Sequence, residues 1–429
     1  MTKEISKAPI LLVLYPYKMS EFLYNLMELS HFAPFCEVIV WDLSLLTNPT
    51  FAQSLAYERT PRTNVITIAT WRSLLRHVSD LEIMSATQPV SIRHILPTST
   101  AEILLTALIS FRFLRRDAKQ FYMQIGGIPV LSDEFADANP NNTPSKTLIA
   151  RYREFLKHVS SLSEFQARVS YSLYTNLARF FSGPITHQFA AGEHYVQEAL
   201  RFQNKRAKLV FGHSDDYSNY VRNIHHIPKQ ASNQTNLAIM LDSEDPHSIG
   251  DNFQLHRLQR LTAANWFPAI TKLFDQLESQ TGVSIAIAGH YKTQLPPIAA
   301  CFGNRPVHYG KTLELTSSCK YVITRDSTAI SYAVIQRKPV IFIYSDELEA
   351  DGLAMQWTSY MAGFLGTQPI NINRLPSDLT TLLTVNEEKY KAYEKACLTS
   401  AGPSRTNSQI ILEDIMGIST TPGHRTPET

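Results

Sequence analysis

Short apolar runs alternate with stretches of helical periodicity along most of this chain, and that alternation constrains the fold more than any single motif. The runs at 10–14, 38–41, 65–68, 92–96, 121–125 and 208–211 are of strand length and apolar at nearly every position. That is the pattern of strands buried on both faces. Between them lie segments such as 20–29, TWRSLLRHVSDL at 70–81 and TAEILLTALISFRFLRR at 100–116. Their apolar residues recur at helical spacing, and Ser99 is placed to cap the last. Strands alternating with helices imply parallel sheets joined by right-handed crossovers.

The alternation breaks at IPKQASNQT, 227–235, and resumes with runs at 237–241, 284–288, 307–309, 321–324 and 340–344. A chain of 429 residues is too long for one ordinary core, so two domains are expected. The fold class predicted is therefore α/β, with two Rossmann-like domains built on parallel sheets. The first spans 1–227 and the second 236–380, followed by a helical segment at 381–416 and a polar, disordered tail at 417–429. Within the first domain, 132–147 reads as a mobile loop and 148–204 as mostly helical. In the second, Trp266, Phe267, Ile270, Phe274 and Leu277 mark one helix face.

Composition narrows the function classes. Apolar residues make up 44% of the chain and charged residues 18%, a globular balance. A net charge of +2 gives no reason to expect nucleic acid as a partner. Cys36, Cys301, Cys319 and Cys397 are scattered without a CxxC spacing, so they read as thiols of a reducing compartment rather than zinc ligands. The N-terminus lacks the apolar region and cleavage site of a signal peptide. No window approaches the roughly 18 consecutive apolar residues of a membrane span. A cytoplasmic setting is expected.

In open parallel sheets, ligands bind outside the carboxyl ends of the strands. In the second half those ends are consistently polar. Asp242, Ser243 and Glu244 follow the first run, and Gly289, His290, Tyr291 and Lys292 the next. Gly310, Lys311, Thr312 and Glu314 follow the third, and Arg325, Asp326, Ser327 and Thr328 the fourth. Asp326 or Ser327 can cap a helix, Asp242 can do the same, and Lys311-Thr312 can simply form a turn. Taken together, however, these groups suit a phosphate, a ribose or a carboxylate, since a helix start bearing hydroxyls attracts anions. In the first half, His213-Ser214-Asp215-Asp216-Tyr217 reads as a polar cluster that either faces the cleft or hydrogen-bonds its own domain together. Gly126-Gly127 lacks the GxGxxG spacing and reads as a tight turn that lets a sugar or acceptor approach. The basic run at 111–116 is either a solvated helix end or a peripheral contact with anionic lipid.

Two Rossmann-like halves, a central cleft and a helical C-terminal segment resemble the GT-B class of glycosyltransferases. The strings LDSEDPH, AGHYK, YGKTLELTSSCKYVITRDSTAISYAV and KPVIFI, with FGHSDDYSNYV and VIVWDLS, are similar to bacterial surface-polysaccharide transferases of the retaining β-Kdo kind. The likeness runs, with gaps, from about residue 9 to 345. It implies a CMP-Kdo donor or a related CMP-ulosonic acid, and a glycan acceptor, lipid-linked, in O-antigen or capsule synthesis. Asp242 matches the proposed nucleophile, with His290 beside it as the second catalytic candidate. His290, Lys292, Ser327 and Thr328 match positions that hold the nucleotide phosphate and sugar carboxylate. Lys311, Thr312 and Glu314 match those that hold the base and ribose, and Arg325 falls among the donor-binding positions. The chain departs from the pattern at Tyr291, where relatives carry proline, and at Arg325, where they carry a non-basic residue. Glu154, Glu164 and Glu193 are equivalent candidates for the acid/base. No metal or other cofactor is implied, since no acidic cluster resembles a DxD site. Two other readings fit the same fold: a UDP-sugar transferase or epimerase, and a non-catalytic glycan-binding protein.

Overall fold

The computed structural model describes residues 8–94, 100–114, 117–123, 185–196, 207–225, 236–242, 246, 261–290, 299–350 and 352–420. Two parallel sheets organise them. The first contains β1 (Ile10–Tyr15), β2 (Glu37–Asp42), β3 (Val65–Thr67), β4 (Val90–His94), β5 (Lys119–Met123), β6 (His187–Ala191) and β7 (Lys208–Gly212) in the order β3-β2-β1-β4-β5-β6-β7. The second contains β8 (Leu237–Leu241), β9 (Ser284–Gly289), β10 (Val307–Tyr309), β11 (Val322–Thr324), β12 (Val340–Tyr344) and β13 (Ile370–Asn371) in the order β10-β9-β8-β11-β12-β13. Both are doubly wound, with the chain reversing direction across the sheet beside its first strand. The expected α/β class, with two Rossmann-like parallel sheets, is what the chain adopts.

The continuous apolar runs form strands because both faces are covered. Ile10, Leu12 and Ile92 pack under Leu74, Val78, Leu105 and Ile109 of the Trp71–Met84 and Thr100–Phe113 helices. Leu11, Val13 and Phe121 point the other way, toward Leu23 and Phe32. In the second sheet, Met240, Ile285 and Ile287 pack against Trp266, Ile270, Phe274 and Leu277 of the Ala263–Thr281 helix. Phe267, on the predicted apolar face, is only partly buried and meets Phe302 edge-on, with ring centroids 5.3 Å apart.

Two strands escape the apolar-run criterion. β6 lies inside the stretch read as mostly helical, yet it is an inner strand between β5 and β7. Its sequence, HQFAA, has no β-branched residue and begins with two polar ones. Its place in the sheet comes from partners on both sides, which local pattern does not register. β13 has two residues and offers too little pattern to read. The segment read as helical at 381–416 is α-helical over Glu387–Tyr393 and widens to a π-helix over Glu394–Leu398.

The C-terminal segment returns to the first domain. Thr399 bridges His213, and the Ser400 N–H donates to the Gly212 carbonyl at 2.9 Å. Ile410, Ile411, Leu412 and Ile415 then pack into the core formed by Leu11, Val13 and Phe121. The 132–147 loop, the Gly126-Gly127 turn, the 227–235 linker and the 421–429 part of the tail lie outside the described residues. Among the described residues, no helix is long and apolar enough to cross a membrane.

Candidate functional site

The register of the second sheet places its strand-end residues in rows. Leu241 pairs with Ala288 and Thr324, and Ala288 pairs with His308. The next row outward therefore holds Asp242, Gly289, Tyr309 and Arg325. Asp242 and Arg325 follow β8 and β11, which flank the point where strand order reverses. That switch point is where open α/β sheets bind ligands, and adjacent strands lie about 4.8 Å apart.

Asp242 is 2% exposed, and its N–H continues the ladder to the Ala288 carbonyl at 3.0 Å. A rigid strand end thus fixes its backbone. Tyr309 stands two strands away. Its ring atoms Cε1, Cζ and Cδ1 lie 2.4, 2.8 and 2.9 Å from where a Gly289 Cβ would be. Only a glycine lets the ring settle there. Tyr309 is nevertheless 40% exposed. Burial, and then the negative charge of Asp242, push its phenol up to about 12. His290, half-buried, directly follows Gly289.

The residue after Tyr309, Gly310, has φ +68°, and a Cβ there would lie 3.4 Å from Phe22 Cδ2. Phe22 belongs to the Glu21–Leu26 helix, which follows β1 and is capped by Ser20. The carboxyl edges of the two sheets therefore approach each other at this loop. Lys311 occupies the N-cap of the Thr312–Ser318 helix without a side-chain cap bond. Lys311 and Glu314 are exposed, and Thr312 is half-buried.

The turn after β11 differs from expectation. Neither Asp326 nor Ser327 is the N-cap of the next helix. That helix, Ile330–Ile335, starts later, with Ala329 at the N-cap and no side-chain cap. Asp326 instead pairs with Arg325 Nε at 3.0 Å, and Arg325 is 7% exposed. The Thr324 hydroxyl accepts from the Ser327 N–H, and the Ser327 hydroxyl accepts from the Ala329 N–H, each at 3.3 Å. The side-chain pairs shape a turn first, because the local hydroxyls reach the backbone before a full helical turn forms. Thr328 is exposed.

The structure brings Asp242, His290, Arg325, Ser327, Thr328, Lys311, Thr312 and Glu314 to one sheet edge. Lys292, Glu154 and Glu164 lie outside the described residues. Glu193 is exposed and pairs with Lys395 at 2.8 Å. A cavity of about 480 Å³, lined in part by Val340, Leu365, Gly366, Asn386 and Tyr390, opens at the opposite, amino end of β12 and takes no part in this edge. Tyr309 was not among the sequence-predicted site residues, and Gly289 was noted only as a strand-end residue, with no role assigned. An aromatic that ends an apolar run reads as core, and only the glycine opposite it in the register signals a built contact.

The His213–Tyr217 cluster ties the molecule together. His213 bonds the Thr399 hydroxyl at 2.7 Å and the Arg405 carbonyl at 2.8 Å. Ser214 caps the Asp215–Asn223 helix, whose Asn219 donates to the Tyr332 hydroxyl at 2.8 Å. Burial, opposed by Arg93, raises the Asp215 carboxyl to about 6. Burial, opposed by a Tyr332 hydrogen bond and reinforced by Asp215, raises the Asp216 carboxyl to about 7.

No protein-family model matches the chain, and no curated protein sequence is significantly similar to it. Solved structures share its outline distantly. One described as a UDP-N-acetylglucosamine 2-epimerase from Listeria monocytogenes is 10% identical, with a TM-score of 0.48 over 96% of this chain and 98% of that one. The S. aureus MnaA–UDP structure is 12% identical, with a TM-score of 0.47 over 96% and 98%. The wall teichoic acid polymerase TagF is 12% identical, with a TM-score of 0.49 over 95% and 88%. These likenesses are too distant to carry fold or function, and the fold stated above rests on the strand order of the two sheets.

Proposed function

We propose that the chain is a glycosyltransferase that moves Kdo, or a related ulosonic acid, from a CMP-sugar to a bacterial surface glycan such as O-antigen or capsule. The observation that carries this reading is the row at the switch point of the second sheet. A buried carboxylate, Asp242, is followed across the edge by Arg325 on one side and by His290 and Tyr309 on the other. The residue types suit a donor with one phosphate, one carboxylate and a flat base. The motif resemblance around the same residues supports the CMP-Kdo class.

In this mechanism Asp242 Oδ attacks the anomeric carbon while the bond from that carbon to the phosphate oxygen breaks and CMP keeps the electron pair. His290 and the hydroxyls of Ser327 and Thr328 stabilise the charge left on the phosphate. Lys311, Thr312 and Glu314 border the base and ribose, with Tyr309 as a stacking surface. The acceptor hydroxyl then opens the aspartyl ester from the other face and gives its proton to a base, so configuration is retained. The acceptor, lipid-linked in this reading, enters from the first domain, and the reaction runs in the cytoplasm. No step requires a metal.

Calorimetry of the full chain with CMP and with UDP tests the donor class. CMP should bind, UDP should bind at least about tenfold more weakly, and Tyr309→Ala should weaken CMP. Stronger binding of UDP than of CMP would favour a UDP-sugar enzyme. Binding without any turnover of CMP-Kdo would leave a glycan-binding protein.

A further inference from the structure

We propose that the outer face of the Trp71–Met84 and Thr100–Phe113 helices docks on an anionic membrane surface. Six of the nine large apolar side chains exposed among the described residues fall on this pair or at its end: Trp71, Leu75, Ile83, Leu104, Phe111 and Leu114. Isolated exposed apolar residues are ordinary, but a cluster marks an interaction surface. The helices lie side by side on one face of the first sheet, since Leu74, Val78, Leu105 and Ile109 share one core. Arg112 Nε and Glu82 Oε1, 3.3 Å apart, join their C-terminal ends. Trp71, Leu75 and Ile83 fall on one stripe of the first helix, and Leu104 and Phe111 lie two turns apart on the second. Ile83 is 72% exposed, so the inner core does not account for it.

The charge on this face selects the partner. Arg72 and Arg76 are exposed beside Trp71 and Leu75 and have no ion-pair partner among the described residues. The acidic groups on the same helix are Asp80, which is exposed, and Glu82, which is matched by Arg112. Apolar side chains interleaved with arginines suit the boundary between anionic headgroups and acyl chains. A second copy of the chain fits poorly, because a two-fold contact would press Arg72 and Arg76 against their own copies. The face is separate from the carboxyl edge of the second sheet, so its role does not depend on the chemistry proposed there.

Flotation of the full-length protein tests the assignment, using vesicles of phosphatidylcholine with phosphatidylglycerol and vesicles of phosphatidylcholine alone. The protein should float with the anionic vesicles, much less with the neutral ones, and less as salt rises. A Leu75→Ser/Ile83→Ser/Leu104→Ser variant should lose about tenfold or more of this binding, with an unchanged melting temperature because these side chains are exposed. Arg72→Glu/Arg76→Glu should lose a similar factor on anionic vesicles. Absence of binding to anionic vesicles, or binding at the wild-type level by either variant, would overturn the proposal. So would a wild-type dimer that the serine variant dissociates, since that would make the face a self-association surface.

Discussion

At the residue scale the tightest constraint is between Gly289 and Tyr309. With ring atom Cε1 only 2.4 Å from the position of a Gly289 Cβ, Gly289→Ala must push the tyrosine off its seat. If the ring stacks on the nucleotide, Gly289→Ala and Tyr309→Ala should weaken CMP binding by similar amounts, about 1–3 kcal/mol as for an aromatic–base contact. Calorimetry would show it, and unchanged affinity in both variants would make the pair structural only. A spectroscopic titration gives a second reading. The Tyr309 phenol, held up to about 12 by burial and by Asp242, should ionise at lower pH in Asp242→Asn. The strand-end positions of Asp242 and His290 were legible in the sequence, because Asp242 directly follows an apolar run and His290 follows another with one residue between, and strand ends are where such sheets place ligands. Tyr309 was not, because its exposure follows from β10 being an edge strand, which only the assembled sheet reveals.

At the element scale, the Asp215–Asn223 helix is the joint between the halves. Its carboxyls Asp215 and Asp216 titrate near 6 and 7 when folded, above their ordinary value of 3.8. The folded state therefore binds protons more tightly than the unfolded chain, and stability falls as pH rises from about 4 through about 7. Asp216→Asn keeps the shape facing Tyr332 and Ser331 and removes one of these groups. Denaturant unfolding should show the variant more stable than wild type at about pH 8 and a flatter dependence between about pH 4 and about pH 7. A steeper dependence in the variant would mean that Asp216 is ionised and paired when folded. Most strands were legible because burial on both faces writes an apolar run into the sequence. β6 was not, because HQFAA is held by its neighbours and not by its own composition. The turn after β11 was misread by a few residues because Ser327 satisfies the Ala329 N–H locally and so delays the helix.

At the scale of the whole molecule, the C-terminal segment makes the two halves one structure. Ile411 is 2% exposed in the core of the first sheet, although it follows the second domain in sequence. Ile411→Ala should cost about 2–5 kcal/mol in denaturant unfolding, the usual loss for a buried aliphatic side chain. A cost below about 0.5 kcal/mol, the range of surface substitutions, would show the segment to be peripheral. The sequence shows this segment as helical but not where it docks, since an apolar helix face does not name its partner. In the proposed function, the switch point of the second sheet performs sugar transfer through Asp242. The most direct measurement is intact-protein mass spectrometry after incubation with CMP-Kdo and no acceptor, followed by peptide mapping. An added mass of one Kdo residue, located at Asp242 and absent from Asp242→Asn, is expected. An adduct on another residue, or full transfer activity in Asp242→Asn, would contradict it.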